Sequence, residues 1–292
     1  MTFSIHKSLK TSLKSSWTIL KLIVPIYILA DILFYYDILS HITFIFKPVV
    51  SLLGLPQEAA LSIVSGLFLN LYAAIAFAAP LGLSAKSWTV LAVFLGIAHA
   101  LLVETEIMKR LGIARIYSIL LRLSAGLLVG LFVTLFPESW FGSTQSSLVT
   151  TPEHIHYATA FDLIKNSLYE AFSLSLKIIA LVSSLIFFLD AIKSLSWIEK
   201  HSQKVNSGFS ILVGVILGIT YGAGLLIAEY EKGVLKKDEI LFIGTYLMIC
   251  HAIIEDTLLF VIFGANPWII VGLRLSFATF ISYCVVQYWK KK

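Results

Sequence analysis

Shifted by 152 positions, the chain matches itself, and Gly66–Val133 lies on Gly218–Val285 without a gap. His99-Ala-Leu-Leu-Val-Glu-Thr105 meets His251-Ala-Ile-Ile-Glu-Asp-Thr257, and Leu121-Arg-Leu-Ser124 meets Leu273-Arg-Leu-Ser276. Gly112 meets Gly264, and Gly66 meets Gly218. Apolar matches come cheaply in apolar helices. Matched His, Thr, Arg and acid in one register do not, so the chain is read as two copies of one unit. With a small further shift, to 155, the match extends back to the starts, with Ser12-Leu13 on Ser167-Leu168.

The unit belongs in lipid. Hydrophobic residues make up 58% of the chain and charged ones only 13%, against about 25% charged in a soluble domain. No water-soluble fold hides that much apolar surface. The net charge of +5 reads as positive cytoplasmic loops rather than as a nucleic-acid surface. The basic start, with Lys7, Lys10 and Lys14, runs into an apolar stretch from Trp17 to Tyr36 that is expected to be an uncleaved first membrane helix.

Each half reads as the same series. An apolar helix (17–36 or 167–191) is followed by an amphipathic stretch (37–53 or 192–205) suited to the interface plane. A Gly-interrupted apolar segment comes next (57–79 or 207–229), and two further helices finish the unit (87–106 with 115–136, and 239–260 with 268–288). If the Gly-interrupted segment spans, the halves are parallel. If it dips in and returns, they are inverted. Charge favours inversion: no Lys or Arg lies between Leu123 and Ile164, whereas Lys109, Arg110, Arg115 and the C-terminal lysines fall on the opposite side. The expected fold is an all-α integral membrane protein of two inverted repeats. Each has about three transmembrane helices, an interfacial amphipathic helix and a re-entrant or broken hairpin. Repeat 1 covers 1–136, an external linker 137–164 and repeat 2 165–292, with both termini in the cytoplasm.

Ionisable groups at membrane depth cost roughly 2.5–3.5 kcal/mol each on insertion scales. The candidate substrate- or ion-binding residues are therefore those of the duplicated motif, His99, Glu104 and Thr105 in one half and His251, Asp256 and Thr257 in the other, together with Glu255, which falls opposite Val103. On a straight helix His251 and Glu255 share a face, whereas His99 and Glu104 align poorly unless the helix unwinds locally. Arg122 and Arg274 are candidate structural counter-ions. Asn70 and Tyr72 at one hairpin tip, and Thr220 and Tyr221 at the other, can face a solute. The alternative for all of these is mutual pairing that only fixes helix packing. Asp31, Asp190 and Glu229 read as interfacial or snorkelling groups. Cys250 beside His251 raises a soft metal site, although a lone Cys in an apolar helix ordinarily packs; the metal question stays open.

Zinc-protease, Walker and nucleophile-elbow signatures are absent from the sequence, so no enzyme activity is expected. Gly66-Leu-Phe-Leu-Asn-Leu-Tyr-Ala-Ala74 with His99-Ala-Leu-Leu-Val-Glu104 resembles the bacterial membrane proteins that carry a nucleoside-recognition (GATE) domain. The resemblance covers each half in turn, more weakly in the second. It implies inverted repeats, re-entrant elements, a bacterial inner-membrane location and a role related to transport. It also implies distant kinship with concentrative nucleoside transporters and the membrane part of the ferrous-iron transporter B, without naming a cargo.

The expected function is a transporter or permease for a small polar solute or ion, coupled to protons or sodium. No bound cofactor is expected beyond that cation. The expected partners are the lipid bilayer, the solute and a second copy of the chain as a homo-oligomer, with no nucleic acid. A non-transporting scaffold or regulatory partner is the alternative. An intramembrane hydrolase built on His251 with Glu255 or Asp256 is a third reading.

Overall fold

The computed structural model describes residues 4–36, 38, 46–142, 159–194, 207–218, 227, 230 and 235–291. Among them the chain is all-helical and holds no strand. Among the described residues, six helical segments are long and apolar enough to cross a membrane: Ile5–Leu33, Ala85–Arg110, Arg115–Thr134, Ala160–Ile192, Lys237–Val261 and Pro267–Lys290.

The first half contains α1 (Ile5–Tyr35), a short α2 (Lys47–Leu52), α3 (Ala60–Phe68), α4 (Leu71–Ala78), α5 (Ala85–Ala98), α6 (Leu101–Arg110) and α7 (Arg115–Thr134). The second contains α8 (Ala160–Lys193), α9 (Ser207–Leu217), α10 (Lys237–Ile249), α11 (Ile253–Val261) and α12 (Pro267–Lys290). Helices α1 and α8 start earlier than the apolar pattern alone suggests. Ser8 and Ser12 pair with Asp190 and Ser183 of α8, so the basic first turns of α1 are held by packing as well as by propensity.

Two polar contacts fix how α1 and α8 lie. Ser8 Oγ donates to Asp190 Oδ2 at 2.8 Å, and Ser167 Oγ donates to Asp31 Oδ2. The start of each helix therefore meets the end of the other, so the two run antiparallel. The paired Asp and Ser also equate Ser8 with Ser167, which corrects the alignment of Ser12 on Ser167. Asp31 is buried in this seam. It is a tertiary partner of Ser167 rather than a snorkelling group, because the small serine lets the two helices close over it.

The Gly-interrupted segment of the first half is a hairpin. Ser62 Oγ on α3 donates to Ala74 O on α4 at 2.8 Å, so the chain reverses at Leu69–Asn70. Each limb is only about 12–14 Å long, well short of the roughly 30 Å hydrocarbon core. In the second half α9 ends at Leu217, and the segment that follows, with Thr220 and Tyr221, lies outside the described residues. The amphipathic stretches expected over 37–53 and 192–205 are described only at 38, 46–53 and 192–194.

Contacts at two glycines also revise the repeat. Ala100 N–H donates to Gly66 O at 2.9 Å, and Ala252 N–H donates to Gly214 O at 3.3 Å. A Cβ on Gly66 would lie 2.6 Å from Leu95 Cδ2, and one on Gly214 would lie 2.5 Å from Leu247 Cδ2. Leu95 and Leu247 are themselves counterparts, so Gly66 corresponds to Gly214 rather than to Gly218. Close approach of a neighbouring helix explains why both positions are glycine.

Candidate functional site

Two of the six long segments are interrupted at matched places. The first breaks at His99–Ala100, between α5 and α6, and the second at Cys250–Ala252, between α10 and α11. Ala100 and Ala252 take the left-handed conformation, at φ 46° and φ 45°. That conformation costs a non-glycine residue about 1–2 kcal/mol and holds only where surrounding contacts determine it. Those contacts are the bonds from the two alanine N–H groups to Gly66 O and Gly214 O, and two buried arginines.

Each arginine caps a broken helix end. Arg122 on α7 donates from Nε to Ile97 O at 2.8 Å and from Nη2 to His99 O at 2.6 Å. Arg274 on α12 donates from Nε to Ile249 O at 3.3 Å and from Nη2 to His251 O at 2.8 Å. The carbonyls orphaned by each break are thus satisfied from a neighbouring helix. Arg274 also reaches Gly96 O at 2.6 Å, crossing from one half to the other.

The same guanidinium groups hold the acids. Arg122 Nη2 lies 2.7 Å from Glu104 Oε2, an ion pair by distance although its N–H is not aligned for a hydrogen bond. Arg274 Nη2 lies 3.3 Å from Asp256 Oδ2. Both arginines are fully buried, and Glu104 and Asp256 are 6% and 5% exposed. An unpaired charge at such depth is strongly unfavourable, so each acid and its arginine require one another.

The break turns His99 toward Glu104, with Nε2 3.2 Å from Oε1. Five-residue spacing does not prevent the contact, because the helix is interrupted at His99–Ala100 before α6 begins. His251 and Glu255 do not lie on one straight helix, because the chain breaks at Cys250–Ala252. His251 sits in the second break, and its Nε2 lies 3.2 Å from the same Oε1 of Glu104. The two imidazole rings are 5.2 Å apart, one from each half. Glu255 instead accepts from Tyr72 Oη at 3.2 Å, joining the first hairpin to the second half.

A cavity of about 320 Å³ opens on this cluster. Asn70, Tyr72, His99, Glu104, His251, Glu255 and Asp256 line it. Asn70 also caps α4, its Oδ1 accepting from Ala73 N–H at 3.0 Å. Thr105 and Thr257 stand behind the cavity rather than on its wall: both are buried, and Thr105 Oγ1 pairs with Ser118 at 3.3 Å. Sequence reasoning missed Gly218 and Ala252 as wall residues. Glycine at a helix end is a usable signal for the first, and nothing in the sequence marks the second. Among the described residues, the group able to hold a metal ion is His99, Glu104 and His251, whose ligand atoms all lie within 4.8 Å of one another. Cys250 is buried and stands outside that group.

The chain is similar to the uncharacterized membrane protein YvoD of Bacillus subtilis (strain 168), with 26% identity over 296 residues covering 97% of this chain and 94% of the relative. It is a distant homologue of that protein. No family model matches the chain, and no solved structure matches it. It is accordingly an integral, multi-pass helical membrane protein in contact with the lipid bilayer, with a homologue in a bacterium.

Proposed function

We propose that the chain is a bacterial inner-membrane transporter or permease for a small polar solute or ion, coupled to a cation such as a proton or sodium. Its two repeats are inverted, both termini are cytoplasmic, and it has no enzyme activity. The observation that carries the reading is the cavity where both helix breaks converge. Its wall takes Asn70, Tyr72, His99 and Glu104 from one half and His251, Glu255 and Asp256 from the other. Broken helices whose ends face a polar cavity between repeats are a recurring arrangement for alternating access. Buried ionisable groups facing such a cavity have a functional rationale that lipid-facing ones lack. The antiparallel α1 and α8, and the short hairpin limbs of α3 and α4, are in keeping with inversion. So is the resemblance to nucleoside-recognition (GATE) membrane proteins.

The test is flux in proteoliposomes. Solute-driven cation movement is expected from the unaltered protein. It should drop at least tenfold in Glu104→Gln and Asp256→Asn. Flux that is absent for every solute class, or unchanged in both variants, refutes the reading.

A further inference from the structure

We propose that His99, Glu104 and His251 are the ligands of a divalent first-row transition-metal cation of the zinc type. His99 Nδ1 lies 2.8 Å from Leu95 O, and His251 Nδ1 lies 2.8 Å from Leu247 O. A carbonyl oxygen only accepts, so each Nδ1 carries the hydrogen and each neutral ring presents a lone pair at Nε2. Both lone pairs meet Glu104 Oε1, at 3.2 Å each. With both rings neutral, three acceptor atoms converge with no hydrogen among them. His251 Nε2 is buried and has no hydrogen-bond partner. A cation between the three turns this repulsion into coordination.

The spacing suits a small metal. Bonds of about 2.0–2.1 Å to a tetrahedral zinc put neighbouring ligand atoms about 3.3–3.4 Å apart, close to the two 3.2 Å separations observed. Two imidazole nitrogens with one carboxylate oxygen form a donor set for zinc and its neighbours, whereas sodium, magnesium and calcium prefer oxygen alone. The supporting contacts are those a metal site requires. Both rings are oriented through Nδ1 by backbone carbonyls, and Arg122 holds Glu104 by its other oxygen, Oε2. The Arg122 and Arg274 charges are matched by Glu104 and Asp256, and Glu255 adds a carboxylate on the cavity wall. Three protein ligands facing a cavity leave a coordination position open, as in a site that exchanges its ion.

The proposal rests on the transport reading only for what becomes of the ion. Binding is therefore measured without flux, on the full chain in detergent after treatment with a chelator. Cobalt(II) is titrated in while the visible spectrum is read, and zinc is then used to displace it. One equivalent of cobalt per chain with tetrahedral bands, displaced by zinc, is the expected result. His99→Ala, His251→Ala and Glu104→Gln should each lower affinity roughly 100-fold or more, while His6→Ala, at an exposed site on α1, leaves it unchanged. Size-exclusion profiles establish that each variant is folded; if none is, the wild-type stoichiometry and spectrum decide alone. Absence of saturable binding, the outcome for a proton shared between the rings, overturns the proposal. So do octahedral bands, or binding retained by the His99→Ala, His251→Ala double variant. Absent flux with intact binding leaves the metal site standing, and the reverse leaves the transport reading standing.

Discussion

Histidines 99 and 251, contributed by opposite halves of the chain, bring their Nε2 atoms to the same oxygen, Glu104 Oε1, at 3.2 Å each. The contact needs both helices to be broken, and the breaks need the arginines that cap them. Stability and site geometry are therefore linked.

Arg122→Gln should be among the most damaging single changes. It uncaps Ile97 O and His99 O and leaves Glu104 buried without its partner. A loss of about 3–5 kcal/mol is expected, read as a fall in thermal unfolding temperature in detergent. Arg122→Lys should recover little, because a single ammonium cannot reproduce the guanidinium fork.

At Ala252, φ 45° sets an order among substitutions. Ala252→Gly should unfold within a few degrees of the parent, since relief of strain offsets the added freedom of the unfolded chain. Ala252→Val should be destabilised by at least about 2 kcal/mol, because a β-branched side chain is an outlier in that region. Unfolding midpoints of the two variants side by side give the comparison.

Gly66→Ala places a methyl against Leu95, and a cost of about 1–3 kcal/mol is expected. Shortening the obstacle with Leu95→Ala should make the double variant better than the sum of the singles. A double-mutant cycle on unfolding free energies measures that coupling. The same cycle on Gly214 and Leu247 should give the same sign.

The α1–α8 seam predicts which cysteines crosslink. In a background lacking Cys250 and Cys284, Ser8→Cys with Asp190→Cys and Asp31→Cys with Ser167→Cys should form disulfides under mild oxidation. Ser8→Cys with Ser167→Cys should not. The contacts place opposite helix ends together, and gel mobility reports each pair.

Membrane sidedness is a separate expectation. Single cysteines at Ser147 and Ser202, labelled from one side of intact cells, should be found external and internal respectively. Both on the same side sinks the inverted arrangement.

The matched His, acid and Arg were legible because polar groups at membrane depth have few alternative explanations, and the structure gathers them at one place. The hairpin register was not. Runs of Gly, Leu and Ala align nearly as well at several shifts, and the Gly66–Leu95 and Gly214–Leu247 approaches, with the alanine N–H bonds to the same glycines, separate them. The contact of His251 with Glu104 was also hidden, because a spacing argument assumes a continuous helix and the chain departs from one at Ala252. Asp31 looked interfacial from its place in α1, and its partner Ser167 lies in another helix that periodicity cannot pair with it. Thr105 and Thr257 shared the motif without sharing the cavity, since each follows its acid on a regular helix, α6 or α11, where the next residue points about 100° away.

Glu104 and Asp256 are counterparts that differ by one methylene, and only the longer is seen to reach both imidazoles. Two identical halves would offer two equal carboxylates competing for one centre. That single carbon breaks the degeneracy, so the site is lopsided although the scaffold around it is paired. Exchanging the two lengths, with Glu104→Asp and Asp256→Glu together, should hand the centre to the other half.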